Sequence, residues 1–386
     1  MSTLLLPYGD GLDRSTGLAL VEPSRFSDLR NVVLFDGKAQ VRPGILKVGG
    51  LVNATDGPLD ITTGLQALRR EQRGIGVGFE LVTKKSHINL LSGVGEVIQY
   101  EEEWFTALED DPVPRPIMAD SYSKVFIAHD EPIYARRAAT VYYDTVDGVQ
   151  PLEADLDGGG DAPVRFRGVV GYLNYMVGWG FGTATDPDRS EIVRVSLPGQ
   201  PLEWQGDHYF QAGVRGEPVI CCRKAGDVLA VLKESETYRI VGYDRRTFGI
   251  KPADPHFGVA AGRLAVTVGD TLFTWSHEGP RASEGGPSVD LALPLDLNAP
   301  SPSDLVSAGL TEDGFATYVP DLRCVLFVFG QLVYCLSLRN PVKPKWSYWE
   351  LGVPVFCAGT LYSGGATGGG EPPIAYASNL STVPGP

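Results

Sequence analysis

No stretch of this 386-residue chain approaches the ~18 consecutive apolar residues that a membrane-spanning helix requires, so membrane insertion is not expected. The opening MSTLLLPYGDGLD offers three leucines before Pro7 and no early positive charge, too little for a secretory leader. Cysteine is scarce: Cys221, Cys222, Cys324, Cys335 and Cys357 are an odd number with no C-x-x-C pair. That pattern argues against a zinc site or a disulfide framework, and for free thiols in strands of a protein that matures in a cytoplasm. The five histidines (His87, His129, His208, His256, His277) are scattered and form no HxxxH or HxH pair, so spacing supports neither a metal centre nor a triad. Basic residues number 33 against 47 acidic ones, a formal net charge of -14. Such a surface repels phosphate and disfavours sequence-specific nucleic-acid binding.

Helical periodicity is nearly absent too. TGLQALRREQ (63–72) offers one or two turns at most before Gly74, Gly76 and Gly78 break it. Those glycines, in GIGVG, have a strand context and no following helix, so the dinucleotide fingerprint fails. DLDGGGDAP (155–163) places Asp155, Asp157 and Asp161 at alternating positions, a weak calcium-loop candidate. Its distal bidentate glutamate is missing, because Phe166 stands twelfth. A glycosidase reading rests on the turn Ser196-Leu197-Pro198-Gly199, which reaches its glycine one step early. The acidic runs at 101–103 and 109–111 read as solvated loop charges. No catalytic residue and no cofactor are expected, and the chain reads as a non-enzyme.

What the sequence does have is strand and turn material: 43% hydrophobic and 10% aromatic residues, with 47 glycines and 29 prolines. Pairs of short apolar runs recur around tight turns near Gly93, Asp130, Ala184 (a longer loop), Glu234, Glu278 and Gly330. From Gly93 to Gly330 is 237 residues over five intervals, a mean of about 47, the spacing of β-propeller blades. VLFVF (325–329) is apolar throughout and reads as an inner strand covered on both faces, whereas TYRIVGY (237–243) alternates and reads as an outer one. Trp204, after the Pro198-Gly199 turn, is placed at a blade seam, and Trp346 and Trp349 repeat that role. NVVLFDGKAQVRPG (31–44) is a hairpin with the two-residue turn Asp36-Gly37. Its strands are expected to complete the blade begun by C-terminal strands within 355–378. The fold class is therefore all-β: a β-propeller of six or seven blades closed by N- and C-terminal strands. It would span 31–378, with an N-terminal extension (1–30) and a C-terminal tail (379–386).

Four segments, taken in order, resemble the β-propeller tail proteins of short-tailed bacteriophages, the nozzle or hub family. They are N-V-x-L-F-D-G-x-x-x-x-R-P-G (31–44), I-V-R-V-S-x-P-G-x-P-x-x-W (192–204), D-V-L-A-V-L-K-E-S-E-T-Y-R-I-V-G (227–242), and F-G-V-A-A (257–261) followed by G-D-T-L-F-T-W-S-H-E-G-P (269–280). The resemblance spans about residues 25–350. It implies a structural virion protein, assembled in the host cytoplasm and placed in the tail. There it would form a ring, of six copies by the resemblance, that meets head-to-tail adaptor or connector proteins; tail fibres or spikes are a further candidate partner, for which the sequence carries no docking motif. Genomic DNA would leave through the ring without specific binding, a passage that a carboxylate-rich lumen favours. The departure is length: nozzle proteins commonly carry tip-building insertions, for which 386 residues leave little space. Two alternatives stay open: a virion-borne glycan-binding or glycan-degrading propeller, and a cellular propeller scaffold for protein partners. The loops 144–163 and 281–303, with Val146, Val149, Leu152, Leu291, Leu293 and Leu295, are the expected surfaces for a neighbouring copy.

Overall fold

The computed structural model describes strands within residues 32–106, residues 115–360 apart from short gaps (132, 157–159, 182–188, 292–299, 321 and 340–344), and a strand at 374–378. Six antiparallel sheets follow one another along the chain as propeller blades. The first strand of each lies nearest the axis: Ile61–Leu68, Pro116–Ser121, Gly168–Tyr172, Cys221–Ala225, Ala265–Val268 and Phe315–Val319. From the first blade to the sixth each packs against the first strand of the next, which makes the inner ring. From residue 61 to 315 is 254 residues over five steps, a mean of about 51. Among the described residues helix is confined to Pro302–Ser307 and a 3-10 turn at Tyr134–Arg136. The α-helix opens with a capping box in which Ser301 and Asp304 satisfy each other's backbone donors.

The sixth blade differs. Cys324–Ser337 is an unbroken run of extended residues, which if straight would span roughly 45 Å at the usual strand rise. Yet the Leu338 N–H donates to the Arg323 carbonyl at 2.8 Å. The run therefore doubles back at Gly330, whose φ of 61° lies in the region open to glycine. One arm pairs with Phe315–Val319 and the other with Lys345–Thr360. The distal part of Lys345–Thr360 then pairs with Ile374–Ser378, and Leu46–Lys47 adds to that strand in parallel. This closing arm packs on both Phe315–Val319 and Ile61–Leu68 and fills the sector between the sixth and first blades. Closure by N- and C-terminal strands is as expected. The hairpin Val32–Phe35 with Lys38–Val41 forms a separate two-stranded sheet that packs against that blade without joining its ladder.

Blade faces bury aromatic and β-branched side chains against their neighbours. Between blades five and six, Trp275 meets Phe329, Tyr334 and Phe327 at ring distances of 4.9, 5.0 and 5.2 Å. Burying a ring of this size is worth several kcal/mol, roughly 3–5 on truncation to alanine. Glycines make room for two others. A Cβ on Gly168 would come within 2.1 Å of Trp179, and one on Gly178 within 2.6 Å of Phe166.

Several local expectations change. Of residues 63–72, 69–72 lie outside the described residues and 63–68 are not helical: Ile61–Leu68 is an inner strand, and a Cβ on its Gly64 would lie 2.6 Å from the Pro116 ring. Convergence of strands at the axis leaves no space there for a helical turn. VLFVF is the second strand of its blade, one step out from Phe315–Val319, yet buried on both faces. TYRIV is the third strand of blade four, with Gly249–Asp254 outside it. After His129 the chain does not turn tightly at Asp130 but runs through Tyr134–Arg136 before Val141–Asp144. The turns near Glu234 and Glu278 fall between strands as expected, while Gly93 and Ala184 lie outside the described residues.

Candidate functional site

Because every blade is antiparallel, its first-to-second and third-to-fourth turns lie on one side of the disc, the turn face. The second-to-third connections and inter-blade links lie on the other, the link face. Charged side chains gather where the links reach the axis. Arg115 precedes the inner strand of blade two, Arg167 that of blade three, Arg263 that of blade five and Asp313 that of blade six. Arg115 Nε donates to Asp313 Oδ1 at 2.9 Å, and Arg167 Nε to Asp130 Oδ1 at 2.6 Å; Arg167 and Asp130 are both buried. Arg263 donates from Nη1 to the Phe356 carbonyl and from Nη2 to the Asp313 carbonyl, each at 3.1 Å, which ties blades five and six to the closing arm. Burial, with the neighbouring Arg115 charge, lowers the Arg263 pKa from its ordinary value. Gly262 is needed here, since a Cβ would sit 2.6 Å from Asp130 Oδ2.

Directly on the axis lies a cavity of about 150 Å³, lined by parts of five blades and the closing arm, with Arg223 and Arg263 as its charged wall residues among the described residues. A second, much smaller cavity of about 20 Å³, enough for one water, lies at the seam of blades four and five. There Asp254 Oδ2 accepts from the Ser288 N–H (2.8 Å) and hydroxyl (2.7 Å). Burial alone would raise the Asp254 carboxyl, but these bonds, with the His256 N–H, hold it below its ordinary pKa. Among the described residues neither place presents a carboxylate pair.

The turn face has another character. Tyr122 (51% exposed) and Leu173 (58%) occupy the first-to-second turns of blades two and three, Val146 (86%) a third-to-fourth turn of blade two, and Tyr243 (75%) that of blade four. Tyr122 and Leu173 hold φ of 48° and 52°. For bulky side chains that left-handed backbone costs roughly 1–2 kcal/mol each and gains no burial here.

The residues singled out in the sequence lie apart from one another. Trp204 is buried 4.9 Å from Phe166, in a cluster joining blades two and three, so its seam is with the preceding blade. Trp346 faces blade five, its Nε1 donating to the Leu291 carbonyl, whereas Trp349 faces the opposite way, toward the closing arm. Asp155 and Asp161 are exposed, Asp157 lies outside the described residues, and among the described residues no group of three potential metal ligands gathers. Leu152 does not await a partner, being 1% exposed in the blade-two-to-three cluster, while Leu293 and Leu295 lie outside the described residues, as do 1–30 and 379–386. None of the five cysteines is in a disulfide, and all are buried. The axial arginines were missed, although a signal existed: Arg115 to Arg167 is 52 residues and Arg263 to Asp313 is 50, each one blade apart.

No family model matches the chain, and no curated protein does. Solved structures similar to it include a gluconolactonase of Xanthomonas campestris (12% identity, 75% of this chain and 88% of that one, TM-score 0.42). Others are the WD40 domain of Toxoplasma gondii coronin (10%, 86% and 80%, TM-score 0.46) and that of Neurospora crassa Pan2 (14%, 84% and 73%, TM-score 0.31).

Proposed function

We propose that this propeller is a non-catalytic assembly unit, a ring-forming nozzle or hub component of a bacteriophage tail. The observation that carries the assembly reading is the turn face of blades two to four. Bulky side chains are exposed there, Tyr122 and Leu173 on strained turns, which costs the free chain stability and makes sense as a surface that another protein covers. The ordered motif series supports the more specific tail assignment. The occupant proposed is the next copy of the chain: one apolar face meeting a different face of its neighbour generates a closed ring, here of six copies. Adaptor proteins would meet the finished ring, and DNA would pass through it without base-specific contacts.

Light scattering on the purified chain tests the assembly step. Species at multiples of the chain mass are expected, and Leu173→Asp with Tyr243→Asp should return the protein to a monomer without loss of folding. A monomer at every concentration in the presence of its adaptor, or assembly indifferent to both substitutions, counts against the reading. Release of sugars from a host polysaccharide by the wild-type chain would favour the glycan-degrading alternative. A gene neighbourhood without portal, capsid or terminase genes would favour the cellular scaffold.

A further inference from the structure

We infer that the seam of blades three and four holds a proton-operated latch: protonation of His208 releases the turn at 242–248 from the outer strand of blade three. The latch belongs to the single chain; only its consequence, that acid loosens the turn carrying Tyr243, rests on the assembly reading. Gln200–Gln211 is the fourth strand of blade three, and residues 242–248 join Thr237–Val241 to Gly249–Asp254 in blade four. Several contacts tie the turn to blade three. The Arg245 N–H donates to the Tyr175 hydroxyl at 3.1 Å. Its guanidinium donates from Nη2 to Asp207 Oδ1 at 3.3 Å and from Nη1 to Gln205 Oε1. Phe248 adds an aromatic contact, its ring 5.1 Å from Tyr175 and 6.4 Å from Phe210.

His208 is part of this contact. Its ring lies 6.1 Å from that of Phe210, and the residue is 6% exposed. Neither ring nitrogen makes a hydrogen bond of ordinary geometry. A buried imidazolium with two unsatisfied donors is costly. Two charged groups act on the ring: Arg245, from the turn of blade four, opposes the cation, and Asp207, from the same strand, favours it. Asp207 is itself exposed and engaged with Arg245. Arg189 and Arg194 of blade three stack on Tyr209, and Arg194 also on Phe181, in the seam toward blade two. Burial first, and then Arg245, lower the His208 pKa from its ordinary value, against the weaker pull of the Val195 backbone and Asp207. The docked imidazole is therefore neutral, whereas in the released turn it takes up a proton near the ordinary value of ~6.5. Docking is fully favoured above that pH and weakens as pH falls toward the lower docked value. Between the two values the opening equilibrium rises by up to about tenfold per pH unit.

Amide hydrogen exchange on the full chain between about pH 7.5 and 5, corrected for the intrinsic pH dependence of exchange, tests the latch. The reporter is the Arg245 amide, which bonds across the seam to Tyr175. Its protection should fall below pH ~6.5 by up to about tenfold per unit, while the buried strand Val228–Leu232 keeps its own. His208→Gln, neutral at every pH, should make protection at Arg245 independent of pH over this range. In a nuclear magnetic resonance titration of the imidazoles of the wild type, His208 should titrate below ~6.5, and Arg245→Gln should move it up toward that value. This titration keeps the test decisive if His208→Gln fails to fold. Neither readout uses a partner protein, so failure of the latch is distinguishable from failure of ring assembly. Titration of His208 at or above ~6.5, or the same pH dependence at Arg245 in wild type and His208→Gln, overturns the latch.

Discussion

Burial decides the chemistry of individual side chains in this molecule. Cys221 is fully enclosed by blade four and its thiol is pushed up to about 11; burial also raises Cys222, with the neighbouring Cys221 adding to it. All five thiols are buried, so no cysteine of the folded protein should react with an alkylating agent at neutral pH, and all five should react after denaturation without reductant, counted by mass spectrometry. Fewer than five labels would reveal a disulfide. Asp254 gives the opposite sign. Its folded carboxyl is held below the unfolded value of ~3.9, so its contribution is fully present above that pH and is lost as pH falls through the folded value. Asp254→Asn should lower stability near neutrality and flatten this part of the acid dependence, measured by urea unfolding from pH 6 downward to about 3. At this scale the sequence was legible for the thiols and silent on the axis. Asp130, Arg223 and Arg263 are single residues in three different blades, and only the closed ring makes them neighbours.

Elements were easier to read, because strand alternation and turn chemistry are local. The turns at Glu234, Glu278 and Gly330 separate strands in the structure, and Gly330 shows why it had to be glycine. Local signals failed where tertiary pairing overrides propensity, as in Ile61–Leu68, and where a connection is long, as after His129. They also gave no warning of close packing across strands. Gly178 lies in Tyr175–Trp179 and opposes Arg194, and the ring of Phe166 occupies the space a side chain would need. Gly178→Ala should therefore destabilise the blade-two-to-three seam by about 1–3 kcal/mol, seen as a lower denaturant midpoint with an unchanged slope. A neutral result would mean that Phe166 moves aside at no cost.

For the whole molecule, blade spacing predicted the architecture, since no blade can bury both of its faces alone. Closure was legible from the terminal strand signals, although its form was not: Leu46–Lys47 joins in parallel beside Ile374–Ser378, a pairing no alternation pattern encodes. Deleting residues 1–48 removes that strand and exposes the edge of Ile374–Ser378. The truncated chain should aggregate, by light scattering during refolding, whereas a soluble and equally stable product would place the closure elsewhere. The assembly proposal also belongs to this scale, because it concerns one face of a rigid disc. The most direct test is an electron cryo-microscopy reconstruction of the particle that carries the chain. The account predicts a ring of six copies on the tail axis below the connector, with Tyr122, Leu173 and Tyr243 covered by the adjacent copy. Single copies off the axis, a capsid decoration, or a ring that leaves this face in solvent would contradict it.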